Sequence, residues 1–546
     1  GLANPGALGA QIRTVRDLAK AQKAGTGVKA LNGLNLSLIE TIQNANLREI
    51  AKALSEDPAV EYVEPDYVRG VSVLPNDPEW KNQYALQKIK APQAWEKTKG
   101  SHSVIVAVID TGIDYTHEDL AAERLWHNPA EQRNRRDDDG NGYRDDLIGW
   151  DFVDDDPNPF DVSGHGTHVA GLIAACTDNG LGIAGVDPTA RIMTLKVANF
   201  AGQAASTAVA AAIHYAVDHG ARIINLSLGG EVITELEREA ARRAADAGVL
   251  LVVAAGNKGL DAGRFGYAGL PGALIVGASD LEDGRAGFSN FGADVDLLAP
   301  GVDVLSLRAR DTDFIGLSGA PDYPAGGATV GEDAGYYRAS GTSFAAALVS
   351  GLASRVLAVR PDYRADDLRR VLLAGAVDLD APGTDQTTGH GRADLIGALG
   401  ADPKDYVEAR LTGVDLSLDG QQVWLAFTGT AAGDAFAAAR LEVRPDPEAV
   451  PEGPPEDRRL SRRERREIEE RLAALRAWQP LGEPLAEPAS DAVLARRSLD
   501  DLLAMADGIT AWEVRLVVDT ADGASRESRL RMALPPPPAP PETGDE

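Results

Sequence analysis

At 546 residues, with 44% hydrophobic and 25% charged side chains, the chain is too long for one core and too apolar for disorder. At about 150 residues per domain it should divide into about three or four globular units. A formal net charge of −29 sets it against nucleic acid, whose phosphates it would repel, and suits solubility and cation binding. The one cysteine, Cys176, excludes an intrachain disulfide and ends the apolar run Val169 to Ala175, where it reads as a buried thiol. No run of about 20 apolar residues calls for a membrane span, and no signal peptide opens at Gly1.

Residues 1–70 carry a helical pattern around Ile12 to Ala24, a Val/Leu-rich segment from Val28 to Ile42, a second helical pattern at Leu47 to Leu54 and a strand at Val60 to Val63. This predicts a small α+β unit with nothing strand-like before Ile12. From Ser103 to about Gly400 the pattern becomes short apolar runs alternating with helical ones. The runs are Ser103 to Ile109, Arg222 to Ser227, Val249 to Ala254 and Leu274 to Gly277. Continuous β-branched runs separated by helices require a mostly parallel, doubly wound α/β sheet covered on both faces. Ligands on such sheets bind outside the carboxyl ends of the strands, so the residues just after each run matter most.

Residues 308–338, rich in Gly, Asp, Pro and Tyr, read as a surface loop. From about Tyr406 the chain changes to alternating strands such as Val423 to Phe427 and Trp512 to Val518, the latter leading to the hairpin signal Asp522-Gly523. They predict a β-sandwich. Between them, Ser461 and Glu464 form a capping box for a polar helix with Ile468, Leu472 and Leu475 on one face. Its arginines and glutamates suit either a solvated face or an acidic partner. The Pro-rich, acidic tail from Pro535 to Glu546 is expected to be disordered.

Four segments carry chemistry. Val108-Ile109-Asp110-Thr111-Gly112 puts a carboxylate at a strand end, and Gly164-His165-Gly166-Thr167-His168 puts two histidines at the start of a small-residue helix. That histidine pair lacks the Glu or Cys partner that a metal site of this spacing needs. Ala254-Ala255-Gly256-Asn257 sets an amide just past a strand. Ser340-Gly341-Thr342-Ser343 delivers a serine to the first turn of an apolar helix, where it is either a helix cap or a nucleophile beside unpaired N–H groups.

Asp110, His165, Asn257 and Ser343, in this chain order, resemble the catalytic set of the subtilisin-like serine peptidases. The resemblance covers about residues 76–400. It implies that Ser343 is the nucleophile, His165 its general base, Asp110 the group that orients His165, and Asn257 with the Ser343 N–H the oxyanion donors. It also implies that Ser227, Leu228 and Gly229 pair with extended peptide, and that Ala254, Ala255 and Gly256 form one wall of the first specificity pocket. His168 is expected to be structural. The sequence departs from the family at Phe265-Gly266-Tyr267-Ala268, where Tyr-Pro-Ala is usual, and at Phe344 to Leu348, where Met-Ala-x-Pro-His is usual.

Upstream, Ala59-Val60-Glu61-Tyr62-Val63-Glu64-Pro65-Asp66 resembles the close of the family's inhibitory propeptide, against the alternative of an unrelated α+β unit. The chain is expected to begin inside that propeptide, with a leader upstream. The domains expected are a propeptide (1–70), a catalytic domain (71–400), a β-sandwich with a helical insertion (401–534) and the tail (535–546).

The run from Asp137 to Asp145 matches the opening of an EF-hand-type loop, with Asp137, Asp139, Asn141 and Asp145 at its oxygen positions, Tyr143 at the carbonyl position and Gly142 at the turn. Ile148 stands where the bidentate Glu belongs, and Asp146 is its candidate replacement. The alternatives are calcium or a solvated acidic turn. The resemblance implies a second calcium site at Asp77, Asp119 and Asn179, and a weaker cation at Asp296.

The expected protein is thus a secreted, calcium-stabilised monomeric serine endopeptidase of the extracellular space or periplasm. It would act on protein and peptide substrates and be made as a zymogen inhibited by its own propeptide, cut between Asp66 and Asn76. The alternatives are a catalytically impaired binding protein on the same scaffold, or a peptidase with raised peptide-ligase activity through Ala347.

Overall fold

Apolar runs with no polar alternation must be covered on both faces, and in the computed structural model they form the centre of a parallel sheet. The structure describes the backbone of residues 2–12, 27–31, 36–40 and 60–68. It also describes residues 74–534, apart from 121, 271, 313–327, 332–333, 421, 452, 454–460 and 507–508.

The chain divides into two units, 1–73 and 74–546. The first contains β1 (Leu2–Ile12), β2 (Gly27–Leu31), β3 (Leu36–Glu40) and β4 (Val60–Val68), paired antiparallel in the order β2-β3-β1-β4. This corrects the expectation of no strand before Ile12. The segment is rich in Gly and Ala, so side chains give no strand signal, and pairing by backbone on both sides makes the strand. The helical patterns at Ile12 to Ala24 and Leu47 to Leu54 fall outside the described residues, as does the tail from Pro535.

In the second unit, β5 (Ile105–Asp110), β6 (Gly149–Asp151), β7 (Arg191–Lys196), β8 (Ile223–Leu226), β9 (Leu250–Ala254), β10 (Ala273–Ser279) and β11 (Leu297–Pro300) form a seven-stranded sheet. Its order is β11-β10-β9-β8-β5-β7-β6, and every pairing is parallel. Successive side chains point to opposite faces. Val106, Val108, Ile223, Val252 and Val276 share one buried cluster with residues of the helices His165–Ala174 and Thr342–Val359. Ala107, Ile109, Ile224, Leu251 and Ile275 share the other with the helices Ser206–Asp218 and Glu235–Ala247. The helix Thr342–Val359 is long and apolar enough to cross a membrane, but 89% of it is buried within the fold.

Tyr336 and Tyr337, read from sequence as the end of a surface loop, are instead buried in the strand Tyr336–Ala339, which pairs antiparallel with Val304–Leu307. Residues 313–327 of that loop lie outside the described residues.

After residue 406 come two antiparallel sheets, one of three strands and one of four. Phe427 and Leu411 from the first meet Trp512, Val514 and Leu516 from the second in one core. Strands Ala511–Thr520 and Ser525–Ala533 form the hairpin around Asp522-Gly523. The helix Arg462–Arg476 starts at the Ser461/Glu464 capping box. Ile468, Leu472 and Leu475 are partly buried on one side, and the pairs Arg463–Glu467 and Arg466–Glu470 lie along the solvated side. The sandwich is stitched to the α/β core by backbone. Thr384 N–H donates to Glu527 O at 2.8 Å, and Arg529 N–H donates to Thr384 O at 2.9 Å.

Candidate active site

The carboxyl edge of the sheet gathers residues that are far apart in sequence. Asp110 ends β5, an inner strand of the sheet, with 0% exposure. The helix His165–Ala174 starts against it, because Gly166 allows close approach: a Cβ there would lie 2.1 Å from the Gly112 carbonyl and 3.1 Å from Asp110 Cβ. This puts His165 Nδ1 2.7 Å from Asp110 Oδ1. Asp110 Oδ1 also accepts the Thr111 N–H at 2.8 Å, which fixes the carboxylate. Burial pulls the His165 pKa down, but the Asp110 charge and hydrogen bond, with the charge of Asp161, outweigh it and hold the imidazole above its ordinary value.

Ser343 is the second residue of the helix Thr342–Val359 and is 6% exposed. Its Oγ donates to the Ser227 carbonyl at 3.2 Å, and Ser227 Oγ donates to the Ser343 carbonyl at 3.2 Å. Asn257 accepts at Oδ1 from the Thr342 N–H and Oγ1, both at 2.9 Å. With that oxygen committed, the amide NH2 is the end left for a ligand. Asn257 and Ser343 line one cavity of about 310 Å³, together with Ser227, Leu228, Gly229, Ala254, Ala255 and Gly256. Phe265, Gly266, Tyr267 and Lys258 also line it.

Phe344 follows the serine, and its ring lies 5.6 Å from that of His165 and 4.3 Å from that of His168. His168 is fully buried, with Nε2 3.1 Å from the Tyr337 carbonyl, and burial followed by the neighbouring His165 pushes its pKa down to about 3. A histidine held neutral this way packs the site. Cys176 is buried just beyond the helix His165–Ala174.

The acidic loop differs from the expected ligand set. Carboxylate oxygens of Glu131, Asp139 and Asp146 lie within 4.8 Å of one another. Asn141 Nδ2 touches Asp139 and Asp146 at 3.2 and 3.0 Å, and Asn128 Nδ2 touches the same two at 3.0 and 3.2 Å. Asp137 instead caps its own turn, accepting the N–H groups of Gly140, Asn141 and Gly142. Asp145 accepts those of Asn134 and Arg135. The Tyr143 ring packs against Trp150, Phe152 and Tyr215. Sequence reading therefore missed Glu131, which lies before the loop and joins it only through the fold. Its one signal was that a further carboxylate was needed once position 12 proved to be Ile148.

At the other expected site, Asn179 Nδ2 donates to Asp119 at 2.8 Å, and Asp77 accepts the Asp178 and Asn179 N–H groups. Asp77 and Asp119 are 3% and 0% exposed. Burial pushes the Asp119 carboxyl up to about 7, with the charge of Asp77 adding to it. Carboxylate oxygens dominate both clusters, with the His219 ring nitrogen 3.8 Å from Asp139 at the edge of the first, and a donor set so rich in hard oxygen fits calcium better than zinc. Asp296 is paired with Arg369, which donates to it at 2.6 Å, so a guanidinium stands beside the carboxylate where a weaker cation was expected.

A seven-stranded parallel sheet carrying these residues at its carboxyl edge defines the subtilisin-like α/β class. The model of the subtilase family matches residues 101–391, and the chain belongs to that family. It is 40% identical over 271 residues to the thermophilic serine proteinase of Bacillus sp. (strain AK1), covering 50% of this chain and 62% of that protein. It is 40% identical over 246 residues to thermitase of Thermoactinomyces vulgaris, covering 45% and 79%. It is 35% identical over 357 residues to a halolysin-like extracellular serine protease of Natrialba magadii, covering 64% and 57%. The chain thus spans less than two thirds of the first and third of these relatives.

Proposed function

We propose that this chain is a serine endopeptidase that cleaves proteins and peptides through an acyl-enzyme. The observation that carries this reading is the 2.7 Å contact between Asp110 and His165 beside one cavity that holds both Ser343 and Asn257. Ser343 Oγ attacks the scissile carbonyl while His165 takes its proton, since a hydroxyl is a weak nucleophile without a base. Asp110 keeps the proton of the resting imidazole on Nδ1 and stabilises the imidazolium. The Asn257 NH2 and the Ser343 N–H hold the oxyanion, where losing one donor costs about 10²–10³ in turnover. His165 then protonates the leaving amine, and water repeats the sequence on the acyl-enzyme.

Residues 1–70 would be a propeptide inhibitor removed between Asp66 and Asn76, and residues 401–534 an accessory domain. Secretion is supported by the extracellular relative, and calcium by the two oxygen-rich clusters. Glu131, Asp139 and Asp146 would hold one ion, and Asp77, Asp119 and Asn179 another. Bound calcium would neutralise these carboxylates and tie their loops together.

Labelling with a fluorophosphonate tests the reading, with Ser343→Ala as control. Wild type should label and cleave casein, and its mass should fall by about the first 70 residues on incubation with calcium. Absence of both labelling and cleavage once the N-terminal unit has been removed would rule out the enzyme, and activity at full mass would rule out self-processing.

A further inference from the structure

Asp110 holds one edge of the His165 imidazole at 2.7 Å, but the soft χ2 torsion of histidine leaves the plane of the ring to be set by packing. Phe344 supplies that packing. Its ring centroid lies 5.6 Å from that of His165, with 41° between the planes, and 4.3 Å from that of His168, with 53°. Phe344 is 2% exposed, and its other neighbours are fixed. The His168 ring lies 3.1 Å through Nε2 from the Tyr337 carbonyl, and the His168 carbonyl accepts the Ser306 hydroxyl at 2.6 Å. A Cβ placed on Gly341 would meet the Phe344 ring at 3.4 Å, so the turn before Ser343 bounds it as well.

An aromatic ring attracts a cation within about 6 Å of its centroid, and more strongly where water is excluded. His165 carries that charge only once it has taken the Ser343 proton, so the attraction acts in the transition state and not in the resting enzyme. The methionine usual in the family at this position is a flexible chain without an aromatic face. We propose that Phe344 is a positioning residue of the peptidase reaction, its ring setting the plane of the His165 imidazole and favouring the imidazolium that forms as Ser343 loses its proton. This inference rests on the peptidase reading above.

The test uses the full chain after its own processing, as wild type, as Phe344→Leu, and with pentafluorophenylalanine at position 344, which keeps the shape of the ring and reverses the charge of its face. Fluorophosphonate titration counts active sites, so kcat is read per labelled serine. On the pH plateau, Phe344→Leu should lower kcat by about tenfold while KM changes by less than about twofold. In both variants the acid limb of kcat/KM should move to lower pH by about half a pH unit, because the imidazolium has lost its attractive neighbour. The titratable groups that face His165 are Asp110 on β5, Asp161 ahead of its helix and His168 one turn along, and all three are kept in the variants. His168, with its pKa pushed down to about 3, stays neutral from pH 5 to 9. A kcat per labelled serine equal to that of wild type, or an acid limb that stays in place, overturns the inference and leaves the peptidase reading intact. A purely structural role for Phe344 would lower only the fraction of protein that labels. The pentafluorophenylalanine variant decides alone if Phe344→Leu fails to fold. Absence of labelling in the wild type fails the peptidase reading itself and takes this inference down with it.

Discussion

Ser343 and Ser227 exchange hydrogen bonds, each hydroxyl donating to the other's carbonyl at 3.2 Å. Ser227 Oγ also accepts from Asn225 Nδ2 at 2.8 Å, and Asn225 Oδ1 accepts from Ser350 at 2.9 Å. The start of the serine helix is therefore locked to the end of β8 by a buried polar chain. Ser227→Ala leaves the Asn225 amide short of an acceptor, and should cost about 1–3 kcal/mol in urea unfolding while lowering kcat. An unchanged unfolding midpoint would mean that the chain does not carry load.

His165 must be neutral to act as a base, and its pKa is held above the ordinary value, chiefly by Asp110 against the pull of burial. The acid limb of kcat/KM should therefore have an apparent pKa above about 6.5. The stability contribution has the opposite sense. It is fully present below the unfolded pKa and is lost as pH rises through the folded one. A kcat/KM profile from pH 5 to 9 checks the first statement, and an acid limb below 6.5 would contradict it.

Arg369 donates to Asp296 at 2.6 Å and lies 3.7 Å from Glu408, which belongs to the strand Val407–Asp419 of the sandwich. Burial works against its charge, but Asp296 and Glu408 outweigh this and raise its pKa, so it stays cationic. Arg369→Met strands the buried Asp296, while Glu408 keeps Arg410 at 3.4 Å, and should destabilise by about 3–5 kcal/mol. It should also split calorimetric unfolding into two transitions, as the sandwich loosens from the α/β core. A single transition at the wild-type temperature would show that the tie is incidental.

Calcium that binds only the folded chain should raise its stability by about 2.7 kcal/mol at a hundredfold excess over Kd. Chelator should lower Tm and calcium restore it. Asp146→Asn should shrink the calcium response more than Asp137→Asn does, because Asp146 belongs to the cluster with Glu131 and Asp139 whereas Asp137 caps a turn. Equal responses in the two variants would return the site to the loop pattern read from sequence.

Phe344 follows Ser343 at a position where the family usually carries an oxidisable Met, and its ring packs on His168 at 4.3 Å. Peroxide should inactivate Phe344→Met faster than wild type. Identical inactivation rates would place the damage elsewhere.

Asp110, His165, Asn257 and Ser343 were legible in the sequence because each follows an apolar run or opens a small-residue helix, and a parallel sheet delivers such positions to one edge. That logic is local: burial periodicity sets the ends of strands and helices, and the ends set the site. The same logic was silent on β1, whose Gly- and Ala-rich sequence carries no strand signal, and on Tyr336 and Tyr337, whose burial depends on a partner strand some thirty residues earlier. Only the tertiary structure brought Glu131 to Asp139 and Asp146 and paired Asp296 with Arg369. Each depends on which charge meets which across the fold, and no pattern along the chain carries that information.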